Sequence, residues 1–331
     1  MSDRGRGGPT DGDAGQGAGS GSEATDYDRD VVVVGGGPAG CSAGVFTARD
    51  GLDTVVFDRG RSSIQRCAYL ENYLGFPGGV DIETLYGLMH DHAEAAGCDV
   101  VADVVESVER ADEGGPGGFV VHLGEGDPVT ARRVVAATRY DGEYMRGLDD
   151  DDAMFETHDH GDETHEQFDT AYADDDGTTP VEGLYVASPS AEANRQAVMA
   201  AGRGARVAVT LVEAVRRERG YPEALANHYD WRRREAELSG EWADRDRWRE
   251  YVDGRIPDDA DLDDDRRVEL RERAIDRRFD QYLDDDEVDR RTRAGHERLL
   301  EHVDDDAIVA AAREIEAERG TTPAESAGGG E

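Results

Sequence analysis

The 331-residue sequence predicts a three-layer α/β domain with a β-meander, followed by a helical C-terminal extension. Three observations carry that prediction. A short apolar run, Val31 to Val34, feeds into Gly35-Gly36-Gly37-Pro38-Ala39-Gly40 and is followed by a second apolar run, Thr54 to Phe57, that ends at Asp58. Three β-rich runs separated by Gly- and Pro-bearing turns come next. Beyond Gly220 the composition changes to arginine, acid and all three tryptophans, Trp231, Trp242 and Trp248.

The first observation is a β-α-β unit around G-x-G-x-x-G, the Rossmann-like signature of a dinucleotide site. Gly35 permits the tight turn, Gly37 lets the backbone approach a pyrophosphate, and Gly40 lets the helix lie close to the strand. The helix spans about Pro38 to Asp50, with Gly51 as its stop. Its N-terminus offers unpaired N–H groups to phosphate, and Asp58 is placed to accept hydrogen bonds from a ribose. A loop, Gly60 to Val80, precedes a helix from about Asp81 to Ala96 that ends at Gly97. Asp99 to Val108, Phe119 to Leu123 and Val129 to Ala137 read as three strands. Gly183 to Ala187 reads as another short strand and Asn194 to Arg217 as a helix. The expected domains are a disordered tail over 1–28, the nucleotide domain over 29–217, a helical extension over 218–319 and a disordered tail over 320–331. Within the nucleotide domain, 149–180 reads as an acidic linker with almost no apolar pattern.

In the extension, Val268, Ile275, Phe279 and Tyr282 fall on one helical face, as do Ile308, Ala311, Ala312 and Ile315. Asp runs at 263–265, 284–286 and 304–306 stand where helix N-caps are wanted. From Arg216 to Arg319, 33 acids stand against 22 arginines, which points to salt-bridged helix faces rather than a nucleic-acid surface.

The whole chain carries 76 acids against 37 bases, a formal charge of −39, and every base is arginine. Such self-repulsion strains a compact fold in dilute buffer. At about 1 M salt the Debye length falls to roughly 3 Å and screens most of it. The composition resembles that of salt-adapted haloarchaeal proteins and disfavours nucleic acid and anionic membranes as partners. No run has the length of a membrane-spanning helix or a signal core, so a cytoplasmic location is expected. Cys41, Cys67 and Cys98 form no C-x-x-C, which argues against a zinc site or a local redox dithiol.

Three stretches together carry a family resemblance: Gly35 to Gly40, Glu71-Asn72-Tyr73-Leu74-Gly75-Phe76-Pro77-Gly78-Gly79, and Arg195-Gln196-Ala197-Val198-Met199-Ala200-Ala201-Gly202. They resemble the thioredoxin-reductase family of flavoproteins over roughly Asp30 to Val215. The resemblance implies FAD as cofactor, with the first β-α-β unit holding its ADP half. It also implies a loop from Ser62 to Gly75 beside the flavin, and a helix beginning near Arg195 aimed at the flavin edge where reduction builds negative charge. The candidate cofactor residues are therefore Gly35, Gly37, Pro38, Ala39, Gly40, Asp58, Arg59, Asn72, Arg195, Gln196 and Ala197.

The departures from that family matter too. Only the 32 residues from Asp149 to Pro180 lie where the family inserts an NADPH domain bearing a C-x-x-C, and a nucleotide domain needs at least two β-α-β units of about 30 residues each. The family's A-T-G turn reads Ala137-Thr138-Arg139, and its A-G-D reads Ala187-Ser188-Pro189. Ser188 or Ser190 offers a replacement hydroxyl, and Arg139 a charge for phosphate.

Other candidates have two readings each. Cys67, preceded by Arg66, is either a thiolate exchanging electrons with the flavin or a small packed hydrophobe, and it is the candidate catalytic residue. Cys41 reads as packing. His158, His160 and His165, with Asp159, Asp162, Glu163 and Glu166, form either a divalent-metal cluster or, preferred, a solvated acidic segment; no metal site is assigned. His90 and His92 point to different helix faces.

The expected function is an FAD-dependent oxidoreductase without its own NADPH domain or dithiol. It would take electrons from a small-molecule or protein donor, and a homodimer is left open. The alternative is a non-catalytic dinucleotide- or FAD-binding sensor or scaffold. A single-domain NAD(H) dehydrogenase would need catalytic residues that the helical tail does not offer.

Overall fold

The computed structural model describes residues 27–111, 117–160, 163–191, 195–257, 259–260 and 262–321; the side chains of 159–160, 163–165 and 321 lie outside that description. Most of the expected tails falls outside it as well. Tyr27 and Asp28, counted with the tail, are instead tied to the domain: the Asp28 carboxylate accepts from Thr130 N and Oγ1, each at 2.8 Å.

The chain runs β1 (Arg29–Val34), α1 (Pro38–Arg49), β2 (Thr54–Phe57), β3 (Tyr69–Leu70), β4 (Val80–Asp81), α2 (Ile82–Ala96), β5 (Asp99–Val101), β6 (Val105–Arg110), β7 (Phe119–Leu123) and β8 (Val129–Ala137). Then come α3 (Asp151–Met154), β9 (Phe155–His160), β10 (Glu163–Phe168), β11 (Leu184–Ser188) and α4 (Ala197–Glu218). The extension holds α5 (Glu223–Ala226), β12 (Arg233–Arg234), α6 (Arg245–Asp253), α7 (Asp264–Phe279), β13 (Tyr282–Leu283), α8 (Asp285–Leu300) and α9 (Asp305–Thr321).

The core is a parallel sheet in the order β5-β2-β1-β8-β11. Strand β8 is long enough to pair with two successive partners on one side, so the seven strands form one mixed sheet. Its second half pairs with β11 from Val134 to Ala137, while its first half, Val129 to Ala131, pairs antiparallel with β7 and so opens the meander β8-β7-β6. The expected single strand from Asp99 to Val108 is therefore two: Asp99–Val101 joins the parallel sheet, and Val105–Arg110 begins the meander. The two pieces lie at opposite ends of the same sheet, which apolar runs alone cannot show.

Why β1 reads as unbroken valine is now physical. Val31 and Val33 pack toward α1 and α4, while Val32 and Val34 pack toward the meander. A strand buried on both faces has no polar side to alternate with.

The segment 149–180 is not patternless. Helix α3 and the hairpin β9–β10 close over the meander side of the core, burying Met154, Phe155 and Phe168. Three apolar anchors among so many acids are too sparse to show a period, yet they suffice to fold it.

The extension has its own small core of Trp248, Val252, Ile256 and Ile275. Asp263, Asp284 and Asp304 each accept a backbone N–H from the first turn of the helix that follows, as the Asp runs predicted. The predicted apolar faces fare less well. On α7 it is Leu270 and Ile275 that are buried, while Val268 is 46% exposed, and Tyr282 lies beyond the helix in β13. On α9, Val309 and Ile315 are exposed.

Arg216 ties the extension to the nucleotide domain. It pairs with Asp50 at the end of α1 and with His228 Nδ1 at 2.9 Å, and donates to the carbonyls of Ala226 and Asn227.

Candidate functional site: a cleft at the glycine turn

A cleft of about 420 Å³ opens where the carboxyl ends of β1, β2 and β8 meet the N-termini of α1 and α4. Ligands of open α/β sheets bind at such strand ends. The predicted residues Gly35, Gly37, Pro38, Ala39, Asp58, Arg59, Cys67, Arg195, Gln196 and Ala197 all line it. Gly40 and Asn72 stand behind the wall.

The glycines are there because backbone comes close. Gly35 has φ +114, and a Cβ on it would stand 2.6 Å from the Ala137 carbonyl oxygen. A Cβ on Gly40 would run into the Gly35 carbonyl. The α1 N-cap is Gly37, which supplies no side-chain cap to the first-turn N–H groups. Helix α4 begins likewise: its N-cap, Gln196, makes no capping bond, because its Oε1 accepts from Asn72 Nδ2 at 3.0 Å. Two helix N-termini, each without a side-chain cap, thus face one cleft, and both favour negative charge there. The Asn72–Gln196 bond joins the second family-like stretch to the third across 124 residues.

Asp58 is 7% exposed at the floor of the cleft. Its Oδ2 accepts from Tyr86 OH at 2.5 Å and its Oδ1 from Gly60 N at 3.1 Å. His90 Nε2 lies 3.0 Å from the Gly36 carbonyl oxygen and 3.4 Å from Asp58 Oδ2. Two acceptors against one ring nitrogen require that nitrogen to carry the proton. Burial, and then the bond to Asp58, pushes the Tyr86 hydroxyl well above the usual tyrosine range, so it stays a donor. Sequence reading missed this bracing of Asp58 by α2. Its trace is the i, i+4 spacing of Tyr86 and His90, whose rings lie 4.5 Å apart.

Five arginines line the cleft (Arg59, Arg61, Arg66, Arg139 and Arg195) against three aspartates, Asp58, Asp103 and Asp141. In a chain of charge −39 this is a local inversion of sign. Arg59 Nη1 donates to Asp141 at 2.5 Å. Arg139 holds φ +69, the left-handed conformation of the glycine it replaces, with its guanidinium 4.6 Å from the Tyr140 ring. Ser188 lies on the cleft wall, whereas Ser190 is buried outside it.

Cys67 is exposed and on the wall. Cys41 packs with its Sγ 3.2 Å from the Gly36 carbonyl, and burial pushes its thiol up to about 12. Cys98 is buried as well and likewise raised to about 12. Among the described residues no His, Cys, Asp and Glu cluster is placed to hold a metal. His158 faces His165 across the hairpin register, but the side chains of His160 and His165 lie outside the described residues. Among the described residues no helix is long and apolar enough to cross a membrane.

A glycine turn, a braced carboxylate at the end of β2 and a meander define a Rossmann-like α/β protein. Comparison with known proteins narrows the class. Residues 29–236 match the family described as pyridine nucleotide-disulphide oxidoreductase, and the chain belongs to that family. It is 28% identical to a thioredoxin reductase of Rickettsia conorii over 117 residues, 35% of this chain and 36% of the relative. It is 32% identical to a thioredoxin reductase of Streptomyces coelicolor over 88 residues, 26% and 27% of the two chains. The matches thus span about a third of those relatives' length or less. Among solved structures, a thioredoxin reductase from Gloeobacter violaceus aligns with TM-score 0.46 at 19% identity, covering 62% of this chain and 98% of that one.

Proposed function

We propose that this chain is an FAD-dependent oxidoreductase, related to thioredoxin reductase, that draws its electrons from a donor outside the chain. The observation that carries the reading is the cleft itself, where a glycine turn and two helix N-termini without side-chain caps meet among five arginines. The residues fit the cofactor: a side chain at Gly35 or Gly40 would strike backbone and spoil the tight turn that shapes the cradle, and the Asp58 carboxylate is held by Tyr86 and Gly60 at its floor. Gly35, Gly37, Pro38, Ala39 and Gly40 would hold the pyrophosphate. Asp58 would take the ribose, with Arg59 beside it. Asn72, Arg195, Gln196 and Ala197 would hold the flavin end.

Bound there, FAD supplies the redox chemistry. The protein binds, orients and balances charge: the α4 N-terminus stabilises negative charge built up at the cleft, and Arg139 offers a positive charge where the family has glycine. Cys67 stands on the cleft wall and is the candidate thiol of the reaction. The 149–180 segment is a short helix and hairpin, so the reading assigns hydride or electron delivery to a small molecule or to a soluble protein donor in the cytoplasm. A homodimer is compatible with it.

The test is a visible spectrum of protein purified in molar KCl, before and after adding FAD. Retained or captured flavin absorbance is expected. A colourless protein that takes up no flavin would sink the proposal. Arg139 and Ala187-Ser188-Pro189 favour a second reading, a dinucleotide-binding sensor or scaffold without turnover. Flavin that binds yet is reduced by neither NADPH with a reductase nor reduced ferredoxin would select it.

A further inference from the structure

We propose that the helical extension carries a second ligand site, for a phosphate group, in the hollow between the end of α4, α6 and α7. The hollow has a volume of about 140 Å³. Arg216, Arg255, Arg277 and Arg278 line it beside Trp248 and Tyr251, and among the described residues no acid lines it. In a chain with 76 acids and 37 arginines that composition is inverted.

Several arginines elsewhere in the extension are paired with carboxylates, Arg249 with Glu272 and Arg271 with Asp253 among them, and Arg245 is paired with Asp276 even where it stacks on Phe279. Those of the hollow are placed on rings instead. Arg255 lies 4.6 Å from the Tyr251 ring, Arg278 5.4 Å from Trp248, and Arg277 5.4 Å from Tyr221. Among the described residues none of these three has an acid at ion-pair distance. Stacking occupies the face of a guanidinium and leaves its N–H edge for an oxyanion, although Arg278 Nη1 already donates to Gln281 Oε1 at 3.0 Å.

Arg216 is the anchor. It is 2% exposed, its charge is met by Asp50, and its Nε is buried without a hydrogen-bond partner. A buried charged donor left unmade is costly, and an anion in the hollow would meet it. Burial, and against it only partly Asp50, leaves the Arg216 guanidinium below the usual arginine value, with Arg277 adding to the depression. With Arg216 committed to Asp50, three positive charges remain, which suits a dianion or trianion whose oxygens accept forked N–H pairs. A nucleic-acid strand is disfavoured by the field of the whole chain. A neighbouring hollow of about 360 Å³ shares Arg216 and Arg277 but is also lined by Asp276 and Asp280, so it suits an uncharged or hydroxyl-bearing part of a small molecule and not a second phosphate.

Trp248 reports on the site, with Trp242 at 4.9 Å. The experiment titrates the full chain with inorganic phosphate, AMP or adenosine at constant ionic strength in molar KCl, following tryptophan fluorescence. Phosphate and AMP are expected to give saturable changes. Tighter AMP would assign the phosphate to a nucleotide, and equal affinity to the free ion. Arg277→Gln and Arg255→Gln, checked for folding by far-UV circular dichroism, should each weaken phosphate about tenfold, the worth of one charge-assisted bond. The proposal is overturned by the absence of a saturable change, by adenosine binding as well as AMP, by extra KCl giving the same response, or by folded variants that bind like the wild type. Because the cofactor cleft would itself take AMP when empty, the titration is run with FAD in excess, and only a response weakened by Arg277→Gln and Arg255→Gln is assigned to the hollow.

Discussion

Gly202 and Gly204 stand two residues apart in α4, and substituting each by alanine should push stability in opposite directions. In a helix interior alanine is favoured over glycine by about 0.8–1 kcal/mol. At Gly202 a Cβ would meet nothing within 4 Å, so Gly202→Ala should gain up to about 1 kcal/mol. At Gly204 a Cβ would lie 2.8 Å from the Ala39 carbonyl carbon and 3.0 Å from its Cα, and closer still to its oxygen. Carbon atoms rest at about 3.5–4.0 Å, so α1 and α4 would have to part by roughly an ångström. Overpacking of that kind costs about 1–3 kcal/mol, which exceeds the propensity gain. The propensity gain is common to both, so the two variants should differ by the overpacking cost, roughly 1–3 kcal/mol. Denaturant unfolding in molar KCl, followed by far-UV circular dichroism, measures it. Because Ala39 lines the cleft, Gly204→Ala should also weaken FAD. Equal effects of the two substitutions, or a more stable Gly204→Ala, would refute the close approach of α1 and α4.

Three further outcomes are expected. Arg139→Gly should be more stable than Arg139→Ala by about 1 kcal/mol, since both lose the side chain and only glycine accepts φ +69 without strain; thermal unfolding of the pair checks it. Glu272 accepts from Arg249 at 2.9 and 3.0 Å, and these bonds foremost hold its carboxyl down at about 2 against the ordinary 4.5. A depressed carboxylate stabilises fully above its unfolded value and loses that contribution as pH falls through the folded one. The stability gap between wild type and Glu272→Gln should therefore be constant near neutrality and close between pH 4.5 and about 2; a gap that widens on acidification would reverse the argument. Thiol titration of the native protein should find Cys67 alone reactive, with Cys41 and Cys98 reacting only after unfolding, and FAD should slow the Cys67 reaction because Cys67 lines the same cleft.

The glycine turn was legible because its chemistry is local. Gly35 is needed by its own positive φ and Gly40 by its contact with the Gly35 carbonyl, both within one β-α-β unit, and Asp58 ends the next strand, so spacing identifies them. The Ala137 carbonyl that also crowds Gly35 comes from β8 and is not legible that way. The Asp N-caps were legible for the same reason, since a cap bonds a backbone three residues away. Side-chain roles set by distant elements were not. Asp58 is braced from α2, Asn72 finds Gln196 across 124 residues, and Arg216 reaches back 166 residues to Asp50.

By itself, then, the sequence determined the β-α-β unit, the meander and the sign of the whole chain's field, because period, turn chemistry and composition act over short range or in sum. Only the tertiary structure decided the rest. It split the expected strand Asp99–Val108 into two at opposite ends of one sheet, folded 149–180 on three buried apolar side chains, and made Gly204 rather than the motif's Gly202 the point where two helices touch. It also gathered arginines that sequence scatters evenly among acids into one cleft and one hollow. Packing geometry chooses which charges find partners and which converge, and no local pattern records that choice.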